Sequence, residues 1–101
     1  MALPGSMVRV MPYAVLINAT ITDLAAANQG LDAMVIPSTK AQAGFQSGYW
    51  AHAASGKAAS FQLYDTEANA QAAAEAARAG TPPGSPVTID SAEVMELQGQ
   101  A

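Results

Sequence analysis

Apolar positions along the chain change their spacing four times. Residues 8–19 are apolar on both parities: Val10, Ala14 and Leu16 fall on one side, Met11, Tyr13, Val15 and Ile17 on the other. A segment with that pattern predicts a central β-strand covered on both faces, with Pro12 near its start, where a missing N–H is tolerated. From Leu24 the spacing becomes helical, through Ala27, Leu31, Met34 and Val35. Thr22 or Asp23 caps this first helix. Gly30 weakens its middle by roughly 1 kcal/mol relative to Ala. Pro37 kinks or ends it, and residues 38–42 can add a further turn.

Gly44 breaks the helical spacing. Residues 45–53, with Tyr49 and Trp50, and residues 58–64 then read as two strands joined at Ser55-Gly56. Their closeness predicts a hairpin. Its register stays open by one residue, so Trp50 can face either Ser60 or Phe61. Tyr49 and Trp50 are neighbours and must point to opposite faces of the sheet. Asp65-Thr66-Glu67 opens a second helix over residues 68–79, built almost entirely of Ala, Gln, Glu and Arg and ended by Gly80. Residues 81–86, with three prolines and a glycine, form a loop. Residues 87–97 hold the last strand.

The order β-α-β-β-α-β is the ferredoxin-like split arrangement, an α+β fold with one antiparallel sheet and both helices on one face. The first strand is apolar on both sides, so a lone copy would leave an apolar sheet face in water, which soluble monomers avoid. A second copy packed face to face is the expected remedy, with two-fold symmetry. The predicted organisation is a single domain over residues 7–97, a tail at 98–101, and an expression-tag remnant at 1–6.

Composition narrows the partners. The net charge of −4 and the four scattered basic residues, Arg9, Lys40, Lys57 and Arg78, argue against nucleic acid and against a basic membrane patch. With no Cys there is no disulfide, thiol nucleophile or cysteine metal site, and with one His a metal centre is not expected. No apolar run reaches membrane-spanning length and no charged leader precedes an apolar stretch, so the expected location is the cytoplasm.

The stretch Gly44-Phe45-Gln46-Ser47-Gly48-Tyr49-Trp50, preceded by Ile36-Pro37 and followed by 61–68 (Phe-Gln-Leu-Tyr-Asp-Thr-Glu-Ala), resembles the antibiotic biosynthesis monooxygenase-like family of the dimeric α+β barrel superfamily. The likeness runs over residues 8–97, with Ala43 where the helix-to-strand turn usually has Pro. It implies a homodimer with a pocket between sheet and helices, and a small aromatic or quinol-like metabolite oxidised by O2 without metal or flavin. Such chemistry needs aromatic walls, a group that takes or holds a proton, and exclusion of water. The candidate catalytic residues are His52, the sole imidazole, and Tyr64. Those for substrate binding are Asn18, Tyr49 and Trp50. No cofactor is expected: Tyr64 stands where haem-degrading relatives carry Trp, and the second helix lacks their haem-binding His. The alternative reading is a non-catalytic dimer of the same fold that binds a small ligand or serves in assembly.

Overall fold

The computed structural model describes residues 11–101; the expected tag at 1–6, Arg9 and the first residues of the expected strand lie outside them. Four strands form one antiparallel sheet: β1 Tyr13–Ile21, β2 Phe45–His52, β3 Lys57–Tyr64 and β4 Val87–Glu96, in the spatial order β2-β3-β1-β4. Between β1 and β2 run α1 (Leu24–Gly30), a π-helical turn (Leu31–Val35) and α2 (Ile36–Lys40); α3 (Glu67–Arg78) links β3 to β4. The chain is thus a small α+β domain, as the changes of spacing predict.

Pro12 directly precedes β1, and its carbonyl accepts from the Leu97 N–H at 3.0 Å. The Asp23 carboxylate caps α1 by accepting from Ala26 N–H at 3.1 Å, and the Thr66 hydroxyl caps α3 by accepting from Asn69 N–H. Pro37 does not end the first helix. The extra residue of the π turn just ahead of it absorbs the carbonyl that a proline cannot serve, and α2 continues to Lys40. Gly80, at φ +84°, stops α3.

The hairpin register resolves to Trp50 opposite Ser60, with a bulge between Phe45 and Ser47. Pairing across all four strands then sorts the side chains into rows. On one face lie Trp50–Ser60–Ile17–Ala92, Gly48–Gln62–Val15–Val94 and Phe45–Tyr64–Tyr13–Glu96. On the other lie Ala51–Ala59–Asn18–Ser91, Tyr49–Phe61–Leu16–Glu93 and Ser47–Leu63–Ala14–Met95. A second bulge, between Asn18 and Ala19, places Asp90 as the extra residue of β4.

α3 packs on the first face, across β4, β1 and β3. Ala70, Ala73 and Ala74 are buried against Val15, Tyr64 and Ala92, with Ile17, Phe45 and Val94 at the margin. Alanine at these positions lets helix and sheet backbones approach closely; its small side chain contributes little burial per residue. Arg78 pins the far end of α3 by donating Nε and Nη2 to the Ala92 carbonyl at 3.2 and 2.8 Å, while Nη1 meets Glu75 at 3.0 Å.

The first helix sits more loosely. Of the residues 24–40 only Ala27 and Thr39 are buried. Met34, one of the apolar positions whose spacing predicts the helix, is 70% exposed in the single chain. The π turn shifts the helical phase by one residue there, which carries Met34 and Val35 off the sheet side.

Candidate functional site

Gly44 makes the entry to β2 possible. Its φ is +76°, and a Cβ there would overlap the Asp65 carboxylate and the Asn69 amide, which bond to each other at 2.7 Å. Asp65 N–H also donates to the Gly44 carbonyl at 2.9 Å, so the start of β2 is tied to the start of α3. Backbone conformation and packing therefore both require glycine at this helix-to-strand turn.

Beneath the helices this turn helps to set up a buried polar line. Tyr64 is fully buried, and its hydroxyl oxygen lies 2.8 Å from Gln42 Oε1 and 2.8 Å from Gln62 Oε1. Gln62 Nε2 in turn donates to Ser60 Oγ at 3.2 Å. A phenol has one hydrogen to give; turning the Gln42 amide over makes its Nε2 the second donor and satisfies both contacts. The line joins strand β3 to Gln42, two residues beyond the end of α2. The ring of Tyr64 meets Phe45 edge to face, with centroids 5.8 Å apart. Burial pushes the Tyr64 hydroxyl up to about 12, which favours the neutral hydrogen-bonding phenol over a phenolate base. No buried side-chain nitrogen or oxygen among the described residues lacks a partner. At the end of the same face, Tyr13 is raised by the neighbouring Glu96 carboxylate, by burial, and by Glu67.

The candidate residues divide between the two faces. Tyr64 is locked in the buried line. Trp50 is half-buried on the helix side, over Gly48, where a Cβ would come within 2.9 Å of the indole ring. His52 is exposed at the end of β2. Asn18 and Tyr49 lie on the opposite face: Asn18 Nδ2 donates to Ser91 Oγ at 3.1 Å, and Tyr49 is 67% exposed. The five residues are therefore not gathered around one space.

Two hollows stand out, both at the hairpin end of the sheet. One, of about 220 Å³, lies where β1 turns into α1, beside Ile21, Thr22, Leu24 and His52. The other, of about 270 Å³, is bordered by Asn18, Ala51, His52, Lys57 and Ala59. Neither reaches under α3. Beside the second, Thr20 Oγ1 donates to Asp90 Oδ2 at 2.7 Å and accepts from Lys57 Nζ at 3.3 Å. No group of three or more metal-ligating side chains occurs among the described residues, and no helix among them is long and apolar enough to cross a membrane.

Sequence reading alone missed Gln42, Ser60 and Gln62. The signal was available: Ser60, Gln62 and Tyr64 recur at a spacing of two in a strand otherwise apolar, which puts three hydrogen-bonding groups on one face.

No family model matches the chain, and no curated protein matches it. Among solved structures it is similar to the crystal structure of a protein of unknown function from Nitrosomonas europaea. The TM-score is 0.56 at 22% identity, over 92% of this chain and 96% of that one. The likeness extends over nearly the whole of both chains and concerns the fold.

Proposed function

We propose that the chain is a self-associating α+β module. Two copies of a ferredoxin-like subunit close upon each other, as a dimeric α+β barrel, the sheet face that no helix among the described residues covers (the helix-free face), and the dimer binds a small ligand or serves in assembly. The observation that carries this reading is the row Tyr49–Phe61–Leu16 on the helix-free face, continued by Met95, Ala51 and Ala59. Tyr49 and Ala51 are exposed, and Phe61, Leu16, Met95 and Ala59 are half-buried in the single chain. Ser91, Asn18, Asp90, Thr20 and Lys57 form a hydrogen-bonded polar margin at one end. An apolar centre with a polar rim is the anatomy of an interface.

Catalysis is given less support by the separation of the candidate residues. A general base must reach the reacting proton. Tyr64 faces inward to Gln42 and Gln62, while Asn18 and Tyr49 lie across the sheet from it. Sedimentation velocity over a dilution series tests the proposal. A concentration-dependent dimer is expected for the native chain and a monomer for Phe61→Lys. A native chain that stays monomeric at several hundred micromolar would falsify it.

The cofactor-free oxygenase remains the second reading, favoured by one observation: His52 and Asn18 border the same hollow of about 270 Å³. It requires oxygen uptake with a hydroquinone or hydroxyanthrone that His52→Ala abolishes. If turnover survives that change, His52 has no part in the reaction.

A further inference from the structure

We infer that Tyr49 of each protomer is the anchor of the self-interface and inserts into the hollow bordered by Asn18, Ala51, Lys57 and Ala59 of the other copy. This rests on the self-association reading above. Three features of the helix-free face lead to it.

The first is shape. Tyr49 is the most exposed aromatic among the described residues, at 67%, and it stands on the same strand and the same face as Ala51, two residues away. Beside it the alanines Ala51 and Ala59 leave a shallow depression, wide open to solvent, of about 270 Å³. Knob and hole thus lie side by side on one surface. A two-fold axis between Tyr49 and Ala51, lying in the interface and crossing the strands, carries each knob to the other copy's hole. An isologous contact requires this kind of self-complementarity.

The second is area. With strands about 4.8 Å apart and same-face rows about 6.7 Å apart, four strands and three rows make a face of roughly 400 Å². Two flat faces would bury on the order of 800 Å², below the roughly 1,200 Å² at which stable interfaces begin. An inserted aromatic buries about 150–250 Å² of its own surface. Two reciprocal insertions bring the contact to roughly 1,100–1,300 Å², the threshold of the stable range, which flat packing does not reach.

The third is charge and polarity. The hollow's rim holds the Lys57 ammonium and the Asn18 amide, while the row of Tyr49 ends in Glu93. The face thus carries both signs and does not repel its own copy through a single sign of charge. Asn18 Nδ2 already donates to Ser91, and Lys57 Nζ to Thr20, each with hydrogens left over for the incoming phenol oxygen. The ring meets alanine methyls and the hydroxyl meets donors, the pairing an amphipathic tyrosine requires.

The native chain contains no cysteine, so single thiols report cleanly. Tyr49→Cys and Ala59→Cys proteins are mixed at equal concentration under mild oxidation. A mixed disulfide is expected to outnumber both homodisulfides. In parallel, Tyr49→Ala is expected to raise the dimer dissociation constant roughly 30-fold, the signature of an interface anchor. Tyr49→Phe should retain most of the affinity, because the ring is kept. A dimeric native chain that gives mainly the Tyr49→Cys homodisulfide, or whose dimer survives Tyr49→Ala unchanged, overturns the anchor and leaves self-association standing. A monomeric native chain overturns both.

Discussion

On the helix side of the sheet, Val15, Tyr64 and Ala92 are sealed by the alanines of α3, and every buried polar atom of Ser60, Gln62 and Tyr64 has a partner. On the other side, Leu16 and Phe61 reach solvent, Tyr49 stands clear of the surface, and the polar groups bond in an exposed band. The same strands supply both faces by alternation, so the contrast does not come from β-propensity. It comes from what each parity is given to pack against. One face is sealed within a single chain; the other buries Ala14 and Leu63 but leaves Leu16, Phe61 and Tyr49 with apolar surface in solvent. Substitutions on the two faces should therefore separate stability from association.

The largest effect is expected from Ala74→Glu. Ala74 is fully buried between α3 and the sheet, and a Glu side chain there must be forced into the core around Val15, Tyr64 and Ala92. A loss of about 3 kcal/mol or more is expected, a large share of the roughly 5–15 kcal/mol that holds a domain of this size together. Urea unfolding measures it, and a change below about 1 kcal/mol would mean that α3 is not held against the sheet.

Gly44→Ala comes next. The left-handed φ and the overlap with Asp65 and Asn69 act together at one position, and a cost of roughly 2 kcal/mol is expected. The same denaturation assay reads it. A neutral result would show that the β2 entry can swing away from α3.

Tyr64→Phe keeps the ring and removes the hydroxyl that links Gln42 to Gln62, for an expected loss of about 1–2 kcal/mol. It also has a pH signature. The Tyr64 hydroxyl is raised from 10.0 to about 12 in the folded chain, so the neutral phenol contributes stability that is intact below pH 10. That contribution declines as pH rises from 10 to 12 and is gone above. Tyr13 is raised too, through Glu96, burial and Glu67, and adds to the same alkaline loss. Replacing Tyr64 should flatten the loss without abolishing it. An unchanged slope would place the alkaline transition elsewhere.

These effects also mark how much was legible in the sequence. Residues Thr66 to Gly80 were plain, because cap, alanine run and terminator agree with one another. The first strand was plain as well, since apolar residues on both parities have one economical explanation. The first helix was harder: Gly30 and Pro37 both argue for an early stop, and the π turn that reconciles them depends on packing that local spacing does not encode. The hairpin register was hidden because it is set at the turn, where the Ala53 N–H donates to the Lys57 carbonyl, and spacing alone does not tell which residues close that turn. The Phe45/Ser47 bulge shifts the pairing only at the far end, beside the Gly44–Asp65 hydrogen bond. The candidate site was the least legible part. Asn18, Tyr49, Trp50, His52 and Tyr64 are chemically suitable one by one, but only the register decides that they point to different faces. Tyr64 itself could not be told from a catalytic phenol until Gln42, 22 residues earlier, was seen to meet its hydroxyl.

The smallest effect on folding is expected from Phe61→Lys, and that small effect is the sharpest use of the contrast. Phe61 sits between Tyr49 and Leu16 on the helix-free face and is half-buried in the single chain. A lysine can lay its methylenes along Leu16 and put its ammonium in water. The single chain should thus lose only on the order of 0.5–1 kcal/mol, less than any change on the helix side. Two dimer faces cannot accept the same residue as easily, because each copy would bury an unpaired ammonium in the centre of the contact. Chemical denaturation at low protein concentration, set against sedimentation at high concentration, reads the two quantities separately. If Phe61→Lys cost as much folding stability as Tyr64→Phe while leaving the sedimentation profile unchanged, both faces would be core, and the sheet would have no surface reserved for a second copy.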